Sequence, residues 1–203
     1  ETTEGNYDEA LRILSKLKPS NAVQIEKIRI YSESGDREKA KALAEKIIPE
    51  TAAEKRSLAF EKAKLAIIEE EFLKARYFLA DAKEYDVKDD DYYKILSEEA
   101  RLALEMGDYQ LAVDNCEECL AANHTSHGFN YLTLGLAKQG QGKYKNAIDC
   151  FKLGKSEPAI SYLPKSGCSY FLGCLEIIMG EEEFAEKHLK ESIIPNVPPR
   201  FAV

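Results

Sequence analysis

A small residue followed by a short amphipathic stretch returns along this 203-residue chain at Ala10, Ala40, Ala75, Ala112, Ala147 and Ala185, at intervals of 30, 35, 37, 35 and 38 residues. A near-constant period in this range marks a unit too small to bury its own apolar face. Neighbouring units must then stack and share a core. No sustained two-residue alternation of β-branched residues bounded by hairpin turns competes with that pattern, so the period predicts helices throughout.

The residues around the alanines carry a more specific pattern. Tyr131, Leu134 and Gly135, then Gly142 and Tyr144, precede Ala147, and Phe151, Gly154 and Pro158 follow it. This set, YxxLG followed by GxYxxAxxxFxxG and a proline, resembles the tetratricopeptide repeat, with tyrosine where the family often has tryptophan. Ala185 repeats the pattern with Leu172, Gly173, Gly180, Leu189 and Pro195. Ala112 keeps Leu96, Ala100, Gly107 and Tyr109 but has Cys116 at the large apolar position. Ala75 keeps Ala63, Phe72 and Leu79; Ala40 keeps Tyr31 and Gly35; Ala10 has only a second half, with Gly5, Tyr7, Leu14 and Leu17. The resemblance implies an all-α, right-handed superhelical solenoid of stacked antiparallel helix pairs. It covers residues 1–194 as one domain of about five and a half repeats, starting in the second helix of a truncated unit. Breaks are expected near Pro19, Pro49, 86–91, Asn123, 157–164 and Pro195, and three prolines predict an extended tail over 195–203.

Composition agrees. With 44% apolar and 32% charged residues, and only 11 Gly and 7 Pro, the chain has material for a large shared interior and little room for disorder. Its net charge of −8 argues against a nucleic-acid binder, which needs a basic surface to neutralise phosphates. The most apolar stretch, 170–179, is too short to span a bilayer and is interrupted by Glu176, so no membrane insertion is expected. No signal peptide opens the chain, which begins at Glu1 halfway through a repeat, as expected of an excerpt or a processed form. Five cysteines without a secretory signal favour a reducing compartment, and the expected location is the cytoplasm.

Cys116 and Cys119 form a CxxC on the second helix of a repeat and are expected to be buried small hydrophobes. The alternative is a metal site completed by His124 and His127, against which stands a spacing much shorter than that of zinc fingers. No metal and no cofactor is therefore expected. The acidic runs 69–71, 89–91 and 181–183 fall at turns or helix starts, where carboxylates meet exposed N–H groups, and none has the alternating ligands and glycine of a calcium loop. His188, between Lys187 and Leu189, is expected on the surface. Asn123, His124 and Thr125 form a glycosylation sequon relevant only to a secreted chain. GxSxG, GxxxxGK[ST] and HExxH are absent from the sequence, and no enzyme is expected.

In the family that the repeats resemble, the first helix of each unit lines a concave groove. Eleven residues before the alanines stand Arg29, Lys64, Arg101, Leu136 and Cys174, the first three forming a basic ladder. Fifteen residues before them stand Ile25, Phe60, Ser97, Leu132 and Tyr170, and with Phe129 these make the later part of the groove apolar and aromatic. The candidate partner-binding residues are thus Arg29, Phe60, Lys64, Arg101, Phe129, Leu132, Leu136 and Tyr170. The asparagines with which some tetratricopeptide domains clamp chaperone C-termini are missing here. The chain reads as a non-enzymatic adaptor or scaffold binding a protein or peptide ligand with acidic and apolar anchors. The alternative is a ligand- or peptide-sensing regulatory domain of a larger protein.

Overall fold

The computed structural model describes residues 4–84, 88–122, 127–158 and 162–193. Among them the chain forms eleven α-helices and no strand: α1 (Glu4–Lys16), α2 (Asn21–Glu33), α3 (Arg37–Ala44), α4 (Ala52–Ile68), α5 (Phe72–Lys83), α6 (Asp90–Glu105), α7 (Tyr109–Ala121), α8 (His127–Gly140), α9 (Tyr144–Ser156), α10 (Tyr162–Met179) and α11 (Glu182–Ser192). The expected antiparallel pairing is present, with α2 on α3, α4 on α5, α8 on α9 and α10 on α11. Contacts divide inside α6 into two compact units, Glu1–Ile95 and Leu96–Val203. No helix among the described residues is long and apolar enough to cross a membrane.

Local chemistry sets the helix starts. Ser20 accepts the Val23 N–H, Asp108 accepts the Leu111 N–H, and Thr51 and Glu54 satisfy each other's backbone in a capping box. Pro19 and Pro49 fall in connections between helices. Pro164 does not: it is buried in the first turn of α10, where its missing N–H has no intrahelical partner to lose. The 195–203 tail and the sequon at Asn123 lie outside the described residues.

One turn is used five times. Five residues before each alanine, the chain enters the left-handed region at Gly35 (φ 88°), Gly107 (75°), Gly142 (74°) and Gly180 (79°), and the next N–H donates to a carbonyl five residues back. Those bonds, Asp36 to Tyr31, Glu71 to Ala66, Asp108 to Ala103, Lys143 to Lys138 and Glu181 to Glu176, measure 2.8–2.9 Å. They satisfy carbonyls that the ending helix leaves open. Each alanine then donates its own N–H to the carbonyl of the residue after the turn, at 2.9–3.1 Å. In the Ala75 unit a side-chain-bearing residue, Glu70, takes the left-handed position at φ 59°.

The turn delivers each alanine to the contact between paired helices. Ala40, Ala75, Ala112 and Ala147 are wholly buried and Ala185 is 1% exposed, whereas Ala10, whose unit has no first helix among the described residues, is half-buried. Facing small residues allow the approach: a Cβ at Gly135 would overlap the Phe151 ring. In the first unit Ile25, Ile28, Ala40, Ala44, Leu58 and Leu65 form one core. In the second, Ala100, Ala112, Cys116, Leu134 and Cys150 form one cluster and Ala147, Phe151, Cys168, Leu172 and Leu175 another.

Cys116 and Cys119 are buried, and burial pushes the Cys116 thiol up to about 12. Cys119 contacts Ser97 Oγ at 3.4 Å, while His127 lies 3.8 Å from Glu157. His124 is outside the described residues, among which no group of three or more His, Cys, Asp or Glu could hold a metal ion. His188 departs from expectation. Its side chain is only 13% exposed, with Nδ1 2.6 Å from Oε2 of Glu176, itself a carboxylate buried between α10 and α11. The helix pairing brings together two polar groups twelve residues apart, and each supplies the partner that burial demands.

Glu70→Gly should raise stability by about 1 kcal/mol, because glycine enters the left-handed region without the Cβ clash; a denaturant midpoint that fell instead would count against the turn. Cys116→Ala and Cys119→Ala should each cost on the order of 1 kcal/mol through lost packing. Both thiols should resist alkylation in the folded protein and react on unfolding, which mass spectrometry after labelling checks.

Candidate functional site

The first helices α2 and α4, with the start of α6, border a cleft of about 630 Å³ in the first unit. Its lining includes Ile25, Phe60 and Ile95, with charged side chains of both signs around them. Arg29, Phe60 and Lys64, three of the predicted site residues, meet here. Helical spacing puts Phe60 and Lys64, four apart on α4, on one face, with the Lys64 ammonium 5.8 Å from the Phe60 ring centroid, and the packing of α2 on α4 brings Arg29 to it.

The basic ladder carries acids that sequence reading passed over. Arg29 is paired with Glu26, Lys64 with Glu61 at 3.2 Å, and Arg101 with Glu98, each carboxylate three residues earlier on the same helix. The signal was available as the repeated Glu-x-x-Arg/Lys of these three helices. The cleft lining holds Glu26, Glu33, Glu54, Glu61 and Asp91 against Arg29, Arg56, Lys64 and Lys94. It is a lattice of opposite charges rather than a positive strip. Arg101 belongs to the second unit, where it is exposed.

Two members of this lattice are buried. Arg56, with a side chain 9% exposed, donates from Nη1 to Oδ2 of Asp89 at 2.9 Å, and the two charges lie 2.8 Å apart at Nη2 and Oδ1. Asp89 also accepts the Tyr92 N–H at the start of α6, and that bond, with the guanidinium, holds its carboxyl below the ordinary range. Glu61 is 6% exposed; desolvation pushes its carboxyl above the ordinary range, against the pull of Lys64 and Arg29.

In the second unit Phe129 and Tyr170 are 45% and 43% exposed. Leu132 and Leu136 are half-buried and pack against the cluster of Ala147, Phe151 and Leu172. Tyr170 stands edge-on to Phe171, with ring centroids 5.2 Å apart. The leucines thus join α8 to its neighbours and offer a ligand only their outer atoms. The aromatic rings are the larger apolar surface.

Glu61 gives a pH-dependent expectation. The folded state holds its proton more tightly than the unfolded chain, so the group favours folding below the ordinary glutamate pKa of about 4.3 and loses that contribution as pH rises through its raised value. Glu61→Gln is expected to be more stable than the parent at pH 7, with a gain that shrinks as pH falls towards 4. Denaturant midpoints across that range read it; a gain that grew on acidification would reverse the assignment.

No protein-family model matches the chain, and no curated protein sequence matches it. Solved structures do resemble it. BtubC (BKLC) from P. vanneervenii is 16% identical with a TM-score of 0.70, over 96% of this chain and 92% of that one. MamA 41-end from Desulfovibrio magneticus RS-1 is 14% identical with a TM-score of 0.66, over 85% and 92%. YrrB, described as a TPR protein with an unusual peptide-binding site, is 14% identical with a TM-score of 0.60, over 92% and 90%. Likeness at these identities establishes the fold, a tetratricopeptide-like array of helix pairs.

Proposed function

We propose that this chain is a non-enzymatic protein-interaction module, an adaptor or scaffold whose first-helix face holds a peptide or helix of a partner protein. The observation that carries the reading is the first-unit cleft, which combines Ile25 and Phe60 with ion pairs held on rigid helices. A volume of about 630 Å³ admits several side chains of an extended or helical segment. YrrB, a structure of the same fold, has a peptide-binding site, which supports a ligand of the same class here. In this reading one array over 1–194 presents Arg29, Lys64 and Arg101 for acidic anchors and Phe60, Phe129, Leu132, Leu136 and Tyr170 for apolar ones. The protein works in the cytoplasm, binds no nucleic acid and inserts into no membrane.

The ion pairs set the mechanism of recognition. A ligand carboxylate reaches Arg29 or Lys64 by taking the place of Glu26 or Glu61, so the net gain is an exchange of partners rather than a new charge pair. Affinity then comes chiefly from apolar anchors, and the charges select among ligands.

The test is affinity capture from cell extract, followed by titration of a captured partner at two salt concentrations. Reversing Arg29, Lys64 and Arg101 to glutamate should weaken binding at least tenfold, and salt should weaken the parent more than this variant. Phe129→Ala with Tyr170→Ala should weaken binding with the salt dependence kept. Reversals at Lys145 and Lys187, exposed on second helices, should do little. Loss of binding only with the second-helix reversals would place the ligand on the opposite face.

A further inference from the structure

The two ladder pairs of the first-unit cleft differ in their contact with water. The Glu26 side chain is 41% exposed, so it stays solvated whether or not Arg29 remains beside it. The Glu61 side chain is 8% exposed, and its hydrogen bonds among the described residues come from one group, the Lys64 ammonium, at 3.2 and 3.4 Å. The other cations of the cleft are committed elsewhere. Arg29 is held by Glu26, and Lys94 on α6 is paired with Asp91 at 2.8 Å. Glu33 adds a charge of the same sign as that of Glu61, and desolvation already outweighs the pull of Lys64 and Arg29 on this carboxyl.

Displacing Lys64 is therefore more costly than displacing Arg29. A ligand carboxylate that draws Lys64 away leaves Glu61 charged, desolvated and without its donor, and stripping one partner from a buried ion pair costs far more than the intact pair is worth. A base supplied by the ligand restores the balance. The position for it is already defined: the Lys64 ammonium lies 3.2 Å from Glu61 and 5.8 Å from the Phe60 ring centroid, so one cation there meets both a carboxylate and an aromatic face. A planar guanidinium suits that position better than an ammonium, since it forks onto a carboxylate and stacks on a ring. The cleft lining as a whole has five carboxylates to four cations, an excess that a basic ligand group balances.

We infer that the partner segment held by this cleft carries an arginine as well as an acidic residue, and that the arginine takes the place of Lys64 on Glu61 and Phe60. This rests on the proposed cleft reading and adds a second charge to the ligand. Glu61 is the residue that imposes the requirement, because it is the ladder carboxylate of the cleft that water does not reach.

The probe is a random heptapeptide library displayed on phage, selected against the whole parent chain, against Glu61→Gln and against Glu26→Gln, with circular dichroism confirming that each variant keeps its helices. Peptides selected on the parent should combine Asp or Glu with Arg well above the unselected library. Arginine enrichment should vanish on Glu61→Gln, which leaves no buried charge behind, and persist on Glu26→Gln. In fluorescence anisotropy the tightest parent-selected peptide should lose about tenfold in affinity for the parent when its Arg is changed to Gln, and less than about twofold for Glu61→Gln. Selected peptides whose binding Phe60→Ala weakens, but which lack arginine enrichment or keep it on Glu61→Gln, would overturn this inference and leave the cleft reading standing. Failure to select any peptide, or binding that Phe60→Ala leaves unchanged, would overturn both.

Discussion

The structure depends on the close approach of paired helices at the recurrent alanines, and that approach depends on a left-handed residue five positions earlier. Reversal of the chain within so few residues leaves carbonyls open, and the five-back hydrogen bond closes them while aiming the alanine at the partner helix. With the alanine buried, the apolar residue four positions on is buried with it at Ala44, Leu79, Cys116 and Phe151. Phe151 shows the consequence: it fills the space over Gly135 and reaches Cys168, Leu172 and Leu175 of the next pair. One backbone constraint thus sets pairing and stacking together. The unit with Glu70 in place of glycine keeps the geometry at the cost of backbone strain.

Within each unit, stacking sets consecutive first helices side by side, α2 beside α4 and α8 beside α10. Glu26–Arg29, Glu61–Lys64 and Glu98–Arg101 repeat at the helical spacing that lets side chains meet, so each cation carries its own counter-ion. For exposed pairs that arrangement adds little stability. In the proposed function its effect is on recognition, because a ligand carboxylate has to compete with a tethered one. Burial raises the Glu61 carboxyl, so in that reading the competition depends on pH in the first unit.

Polar groups inside the second unit show a different use of burial. Asn115 donates to Glu99 at 2.9 Å, Ser97 donates to Asn130 at 2.9 Å, and Glu176 meets His188. Each joins two helices and leaves a mismatched register with an unpaired buried group, which is more costly than lost apolar contact. The pairs therefore discriminate between stackings that apolar side chains alone would tolerate.

The sequence by itself determined the helical class, the pairing, the break positions near Pro19 and Pro49, and the burial of Cys116 and Cys119. All follow from local backbone preferences and from a spacing that returns in every unit, so each repeat corroborates the next. It also placed Phe60 and Lys64 on one face, since helical spacing alone does that, and the repeat register put Arg29 at the position equivalent to Lys64 on the preceding first helix. Only the tertiary structure decided which neighbours those side chains meet. His188 looked like a surface residue because Glu176, its partner, lies on another helix; that Leu132 and Leu136 also pack against a core was not legible, because that core is built by α9 and α10. Pro164 was placed at a break because its ring forbids a helix interior but not a first turn. The pairing of the basic ladder was visible in the spacing yet undecided by it, because a glutamate three residues before an arginine can face that arginine, another helix or water. Packing makes that choice, and packing is a property of all the neighbours at once.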